Sequence, residues 1–331
     1  MPRHSLHGTA ARGARSLATV CVLSLVTGLA GAGLGWLTAD ARNSPTAAAS
    51  PTASATKTAD RPAPSKPRPS SPAASSLPST EPPPAPATSQ APSPEATDLA
   101  AVVASLESST GTKLGVTVLA PGAPGSSAVS AGSWQSGHAW STAKVPVAIA
   151  ALSADPDGND ASAVAAITVS DNAAAERLWG SLGTPSQAAD AADAVLRRGG
   201  DVTTRVERTK TRPEYTAFGQ TVWSLADQAL FAASFPVDQA SNRVWELMGQ
   251  IDSSQRWGLG EFAGAHFKGG WGPDDSGYVV RQFGQLPLAG GCAAIAVGTW
   301  APSFEAGTKA LTQVAKALAN KPDLLPVGPC R

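Results

Sequence analysis

The chain has 331 residues, with 25 Lys+Arg set against 25 Asp+Glu and a pI of about 6.9. That balance leaves no basic face for nucleic acid and no acidic tail. Four histidines and three cysteines, none in a Cys/His cluster of ligand spacing, give no support to a metal centre.

Arg3, Arg12 and Arg15 precede an uncharged apolar run, Leu17–Leu37, long enough to span a bilayer. Positive charge ahead of the run predicts that residues 1–16 are cytoplasmic and that everything after Leu37 is exported. Thr38-Ala39-Asp40-Ala41 offers a small-residue cleavage site, so the run is either a membrane anchor or a long signal peptide, and its length favours the anchor. Cys21 within it counts as one more apolar residue. Residues 42–96 are dominated by Pro, Ala, Ser and Thr, a composition that cannot bury a core and predicts a disordered, semi-extended linker.

The range 97–331 is large enough for one domain with a sizeable core. An opening helix carries Leu99, Val102, Val103 and Leu106 at helical spacing, and strands at 114–119 and 128–130 follow, joined by a Pro-Gly turn. From Ser141 to about Ile251 the pattern is mostly helical. Strands return at 265–269, 278–282 and 293–299, and a last helix carries Leu311, Val314 and Leu318. Periodicity alone gives α/β or α+β.

Three short motifs lie in order within this domain. In Ser141-Thr142-Ala143-Lys144 the i, i+3 spacing brings lysine and hydroxyl onto one helix face, if a helix starts at about Trp140 or Ser141. The apolar run Val145 to Leu152 behind them predicts a buried helix, and burial lowers the proton affinity of a lysine, making Lys144 a base for Ser141. Alone the pattern is weak, since Ser54-Ala55-Thr56-Lys57 matches it inside the linker. Ser170-Asp171-Asn172 forms a polar corner at a new helix start, where N-capping is the bland alternative. Lys268-Gly269-Gly270 ends a predicted edge strand.

In this order the motifs resemble the Ser-x-x-Lys, Ser-Asp-Asn and Lys-Thr-Gly series of the class A β-lactamase and penicillin-binding-protein superfamily. The resemblance implies an antiparallel sheet assembled from both chain ends, with a helical subdomain inserted between. It casts Ser141 as acylated nucleophile, Lys144 as general base, Ser170 as proton relay and Asn172 as a ligand for the substrate amide. Asp171 is structural. Lys268 attracts a substrate carboxylate, and the N–H groups of Ser141 and a residue just past Gly270 form the oxyanion hole. No metal or cofactor is required. The implied partners are a β-lactam or a D-Ala-D-Ala-type peptide, peptidoglycan, and the membrane through the N-terminal run.

Three departures qualify the match. Gly269 replaces the hydroxyl residue of the third motif, removing one hydrogen bond to the substrate carboxylate. Only residues 145–169 separate Lys144 from Ser170, so the helical subdomain is shortened. Class A enzymes deacylate with a glutamate on a loop after the Ser-Asp-Asn corner. Glu207, in the polar stretch Thr203 to Thr211, is the candidate by position, and Glu214 is the second choice. The leading reading is β-lactamase-like hydrolysis. A D,D-carboxypeptidase is the alternative within the same chemistry, and a non-catalytic wall-binding module the alternative outside it.

His138 and His266 are expected to be packed, hydrogen-bonded histidines, although His266 shares a strand face with Lys268. Trp140 and Trp271 are near enough to the motifs to wall a cleft. Cys292 and Cys330 lie in the exported part and are expected to form a disulfide. The final strand spans about 26 Å and the helix after it about 24 Å, so the helix end returns near the strand start.

Overall fold

The computed structural model describes residues 94–122 and 128–331. The predicted apolar run Leu17–Leu37 and most of the predicted linker lie outside the described residues, and no described helix is long and apolar enough to cross a membrane.

The sheet is built from both ends of the domain. β1 (Lys113–Leu119) and β2 (Val129–Ala131) come first, and β5 (His266–Asp274), β6 (Gly277–Leu288) and β7 (Gly291–Ala301) come last; β3 and β4 stand apart. The five strands pair antiparallel in the order β2-β1-β7-β6-β5, with Val116 opposite Val297 joining the two ends. β7 is buried on both faces, which suits its apolar run Cys292 to Val297. β6 and β7 are longer than their apolar cores predict, because a two-residue turn with Gly290 at φ +88° zips them from Leu288 opposite Gly291 onward.

Helices cover both faces. α1 (Pro94–Thr110) and α8 (Phe304–Ala319) pack on one side, where Gly307 of α8 sits over Val280 and Thr299. On the other side lies α6 (Leu225–Ala233), which places Leu225 against Gly115 and Gln228 against Arg281.

Between the two halves of the sheet the helical part surrounds α2 (Lys144–Ala154), whose residues Lys144 to Leu152 are all buried. α3 (Pro156–Thr168), α4 (Asn172–Ser181), α5 (Pro185–Arg198) and α7 (Gln239–Met248) pack around it. Their starts follow capping chemistry: Asp155, Asp171, Thr184 and Asp238 each accept from a first-turn N–H, and Thr184 with Gln187 closes a capping box. The predicted helical middle is interrupted at 199–221, where the polar run offers no apolar stripe, and a small ladder of β3 (Ser136–His138) with β4 (Val222–Ser224) follows. Cys292 and Cys330 are bonded as expected, and Cys292 and Gly328 exchange two backbone hydrogen bonds of 2.9 Å beside them.

Candidate active site

Ser141 lies in a 3₁₀ turn, Trp140–Ala143, which runs into α2 at Lys144. The regular helix therefore starts three residues later than the motif's serine, and the tighter turn keeps residues i and i+3 on one side. Trp140 enters the turn at φ +50°, and Ser170 enters α4 at φ +61°. These are the only non-glycine residues at positive φ among the described residues, and both lie beside the motifs, where strain commonly concentrates at functional sites.

Lys144 Nζ donates to Ser170 O at 2.5 Å, to Asn172 Oδ1 at 2.8 Å and to Ser170 Oγ at 3.2 Å. Three acceptors match the three donors of an ammonium. Lys268, fully buried on β5, donates to Ser170 Oγ at 3.0 Å and to Gly269 O at 2.9 Å. Two lysines thus meet on one serine hydroxyl. Burial lowers the Lys144 ammonium to about 7, opposed by the nearby Asp171 carboxylate. Burial, and then repulsion from Lys144, pushes Lys268 well below the ordinary lysine range.

Gly270 brings β5 against the turn that carries Ser141. A Cβ there would lie 2.7 Å from Ala139 O and 2.8 Å from the backbone nitrogens of Ser141 and Thr142. Only glycine allows this approach. Trp140, Ser141, Asn172, Glu176, Tyr215 and Trp271 line the resulting cleft, of about 190 Å³. Trp140 and Trp271 wall it as their sequence positions suggest. Arg212 stacks on Tyr215 at 4.4 Å and donates to Pro273 O at 2.8 Å, bridging the irregular loop to the β5–β6 hairpin.

No protein-family model and no curated protein sequence matches the chain. Solved structures do. A β-lactamase from Xanthomonas campestris pv. campestris superposes with a TM-score of 0.55 at 17% identity, covering 68% of this chain and 98% of that one. The chain has a class A β-lactamase-like fold. A β-lactamase from Sphaerobacter thermophilus (TM-score 0.52, 21% identity, 70% of this chain and 98% of that one) and a class A β-lactamase from Mycobacterium abscessus (0.52, 17%, 67% and 99%) share it.

On this β-lactamase-like fold the structure gathers Ser141, Lys144, Ser170, Asn172, Lys268 and Gly270, but not Glu207. Glu207, expected there by its position in sequence, faces elsewhere. Glu207 Oε1 accepts from the N–H groups of Arg208 and Thr209 and from Thr209 Oγ1, all within its own turn, and these bonds hold its carboxylate below the usual range. It borders a separate depression with Ser136, Thr203 and Asp227. Glu214, the second choice, does line the cleft. The departure at Gly269 has a steric counterpart: a Cβ there would lie 3.4 Å from the Trp257 indole, which packs against this position.

Other residues at and behind this cleft have no signal in the motifs. Glu176 lines the cleft one helical turn after Asn172 and pairs with Lys210 at 2.8 Å. Arg281, fully buried with no carboxylate partner among the described residues, donates to Gln228 Oε1 at 2.7 Å, Gly137 O at 2.9 Å and Trp223 O at 3.0 Å. Gln228 Nε2 passes the chain on to Thr142 Oγ1 at 3.0 Å, inside the turn that carries Ser141. Desolvation lowers Arg281 to about 9, which still leaves it charged at neutral pH. Strand alternation would have put Arg281 on the Lys268 face, but its partners come from distant segments. His138 and His266 are packed, hydrogen-bonded residues, His138 to Gln220 O and His266 to Trp245 O with its ring stacked on Trp245.

Proposed function

We propose that the domain is a serine acyl-hydrolase that opens β-lactams through a covalent ester on Ser141. The observation that carries this reading is the meeting of Lys144 and Lys268 on Ser170 Oγ, beside the Ser141 turn. Two ammonium groups sharing one buried hydroxyl repel each other, so one is held neutral near pH 7, and a neutral lysine has the lone pair a base needs. Lys144 takes the Ser141 proton as Oγ attacks the lactam carbonyl, and Ser170 relays a proton to the departing nitrogen. Lys268 attracts the substrate carboxylate, Asn172 binds the amide, and the N–H groups of Ser141 and the residue after Gly270 receive the oxyanion. That the fold neighbours are β-lactamases supports a β-lactam as substrate.

The remoteness of Glu207 favours one second reading, a D,D-carboxypeptidase in which the acyl-enzyme persists. Incubating the full chain with labelled benzylpenicillin and following intact mass separates them. Turnover supports the hydrolase, a lasting adduct supports the peptidase, and no adduct with parent or Ser141→Ala overturns both in favour of a binding module.

The same proposal has the domain exported, with Leu17–Leu37 tethering it to the membrane and wall peptides in reach of the linker. The Cys292–Cys330 bond supports an oxidising compartment. Protection of the domain from added protease in intact cells would overturn export.

A further inference from the structure

A hydrolase that forms an ester on Ser141 must also deliver water to it, and Glu207, whose carboxylate is turned into its own loop, is not among the residues lining the Ser141 cleft. The cleft itself offers two carboxylates, Glu176 and Glu214. The cleft is large enough to admit water, and both carboxylates line the same space as Ser141.

Glu176 is the better placed of the two. It stands on α4 four residues after Asn172, hence on the same helix face, and Asn172 is fixed by the 2.8 Å bond from Lys144. The helix that positions the substrate-side amide therefore also positions this carboxylate. Lys210 Nζ holds Glu176 Oε1 at 2.8 Å, which fixes the carboxylate and leaves Oε2 to accept from a water. Glu214 lies on the irregular loop and is more exposed, with its partner Arg212 at 3.9 Å.

We propose that Glu176 is the general base for hydrolysis of the Ser141 acyl-enzyme, an assignment that rests on the serine acyl-hydrolase reading above. In that step Glu176 takes one proton from a water. The water oxygen bonds to the ester carbonyl carbon, the bond from that carbon to Ser141 Oγ breaks, and the proton is returned to Oγ. One water is consumed and one carboxylic acid leaves.

The test is single-turnover intact mass spectrometry of the full chain with benzylpenicillin, comparing parent, Glu176→Gln, Glu214→Gln and Glu207→Gln. Glu176→Gln should acylate within about threefold of the parent rate and lose the adduct at least about 100-fold more slowly. Glu207→Gln should clear its adduct at the parent rate. Clearance by Glu176→Gln at the parent rate overturns the assignment, as does accumulation confined to Glu214→Gln. Failure of both Glu176→Gln and Glu176→Asp to acylate overturns it too, making Glu176 a residue that builds the site. A parent adduct as lasting as that of Glu176→Gln removes the water-activating role while leaving Ser141 as nucleophile. A parent chain with neither adduct nor turnover overturns the acyl-hydrolase reading itself.

Discussion

Lys144 from α2 and Lys268 from β5 end on the same atom, Ser170 Oγ, at 3.2 and 3.0 Å. The fold thus joins its helical part to its sheet through two buried lysines, which share one hydroxyl and cannot both stay charged, an arrangement costly to stability. Burying a charge without a carboxylate forfeits hydration that hydrogen bonds to a hydroxyl and a carbonyl only partly replace. Lys268→Met keeps the side-chain length and removes that cost. It should raise Tm by a few degrees, corresponding to about 1–2 kcal/mol for a domain of this size, while reducing benzylpenicillin acylation at least about 100-fold. A lowered Tm in calorimetry would mean that the bonds to Ser170 and Gly269 outweigh desolvation.

The depressed Lys144 pKa sets a pH profile. Below about 7 the ammonium has no lone pair, so the acylation rate should fall about tenfold per pH unit on the acid side and level off above it. A stopped-flow profile flat from pH 5 to 8 would exclude Lys144 as the base. Stability carries the opposite face of this shift. Between about 7 and the ordinary 10.5 the unfolded chain binds a proton that the folded chain does not, so stability rises with pH across that window. The advantage of Lys144→Met over the parent in urea melts should therefore be greatest below pH 7 and shrink toward pH 10.

Arg281 connects the sheet to the Ser141 turn through Gln228 and Thr142. Arg281→Met would orphan the carbonyls of Gly137 and Trp223 and free Gln228; leaving these neutral acceptors unsatisfied outweighs the relieved desolvation of one cation and should cost about 1–3 kcal/mol. Urea denaturation checks this. A loss below about 1 kcal/mol would show that water or the Trp134 ring, 5.3 Å from the guanidinium, compensates.

The contrast between Lys144 and Glu176 shows what was legible in the sequence. Ser141 with Lys144, and Ser170 with Asn172, are local patterns whose geometry follows from one helical turn or one corner, so residue spacing carries them. The sheet was legible where strands are continuous apolar runs, as in β7. Its full length was not, because zipping of β6 onto β7 depends on the pairing. Glu207 was chosen by distance along an irregular loop, where separation in sequence does not fix direction, and its carboxylate turned back onto Arg208 and Thr209. Glu176 was a helix residue among alanines whose relevance depends on which face of α4 meets the cleft. Arg281 had no local partner at all.

Cys292 and Cys330 close a loop with a sequence separation of 38, so reducing or replacing them should cost about 2–4 kcal/mol. The tail has other anchors: Arg331 donates to Pro236 O and to Asn242 Oδ1 and stacks over Phe235. The loss should accordingly appear as a lower urea midpoint with the acylation rate preserved. Alkylation of both Cys292 and Cys330 in the unreduced, denatured protein would show the bond absent.

Gly270 allows the sharpest separation of site geometry from stability. The atoms that a Cβ would meet at 2.7–2.8 Å are backbone, Ala139 O and the nitrogens of Ser141 and Thr142, so no rotamer change can relieve the clash. Gly270→Ala must move β5 away from the turn, and overpacking of this kind costs about 1–3 kcal/mol, which a domain of ordinary stability survives. Displacement by a few tenths of an ångström widens the gap between the Ser141 N–H and the strand N–H, the two donors assigned to the oxyanion. Loss of one such donor lowers the rate about 100- to 1,000-fold. Gly270→Ala should thus remain folded by circular dichroism and bind benzylpenicillin non-covalently, while acylating at least about 100-fold more slowly than the parent in the mass-spectrometric time course. Acylation at the parent rate would mean that β5 yields without disturbing the donors and would remove this strand from the oxyanion site.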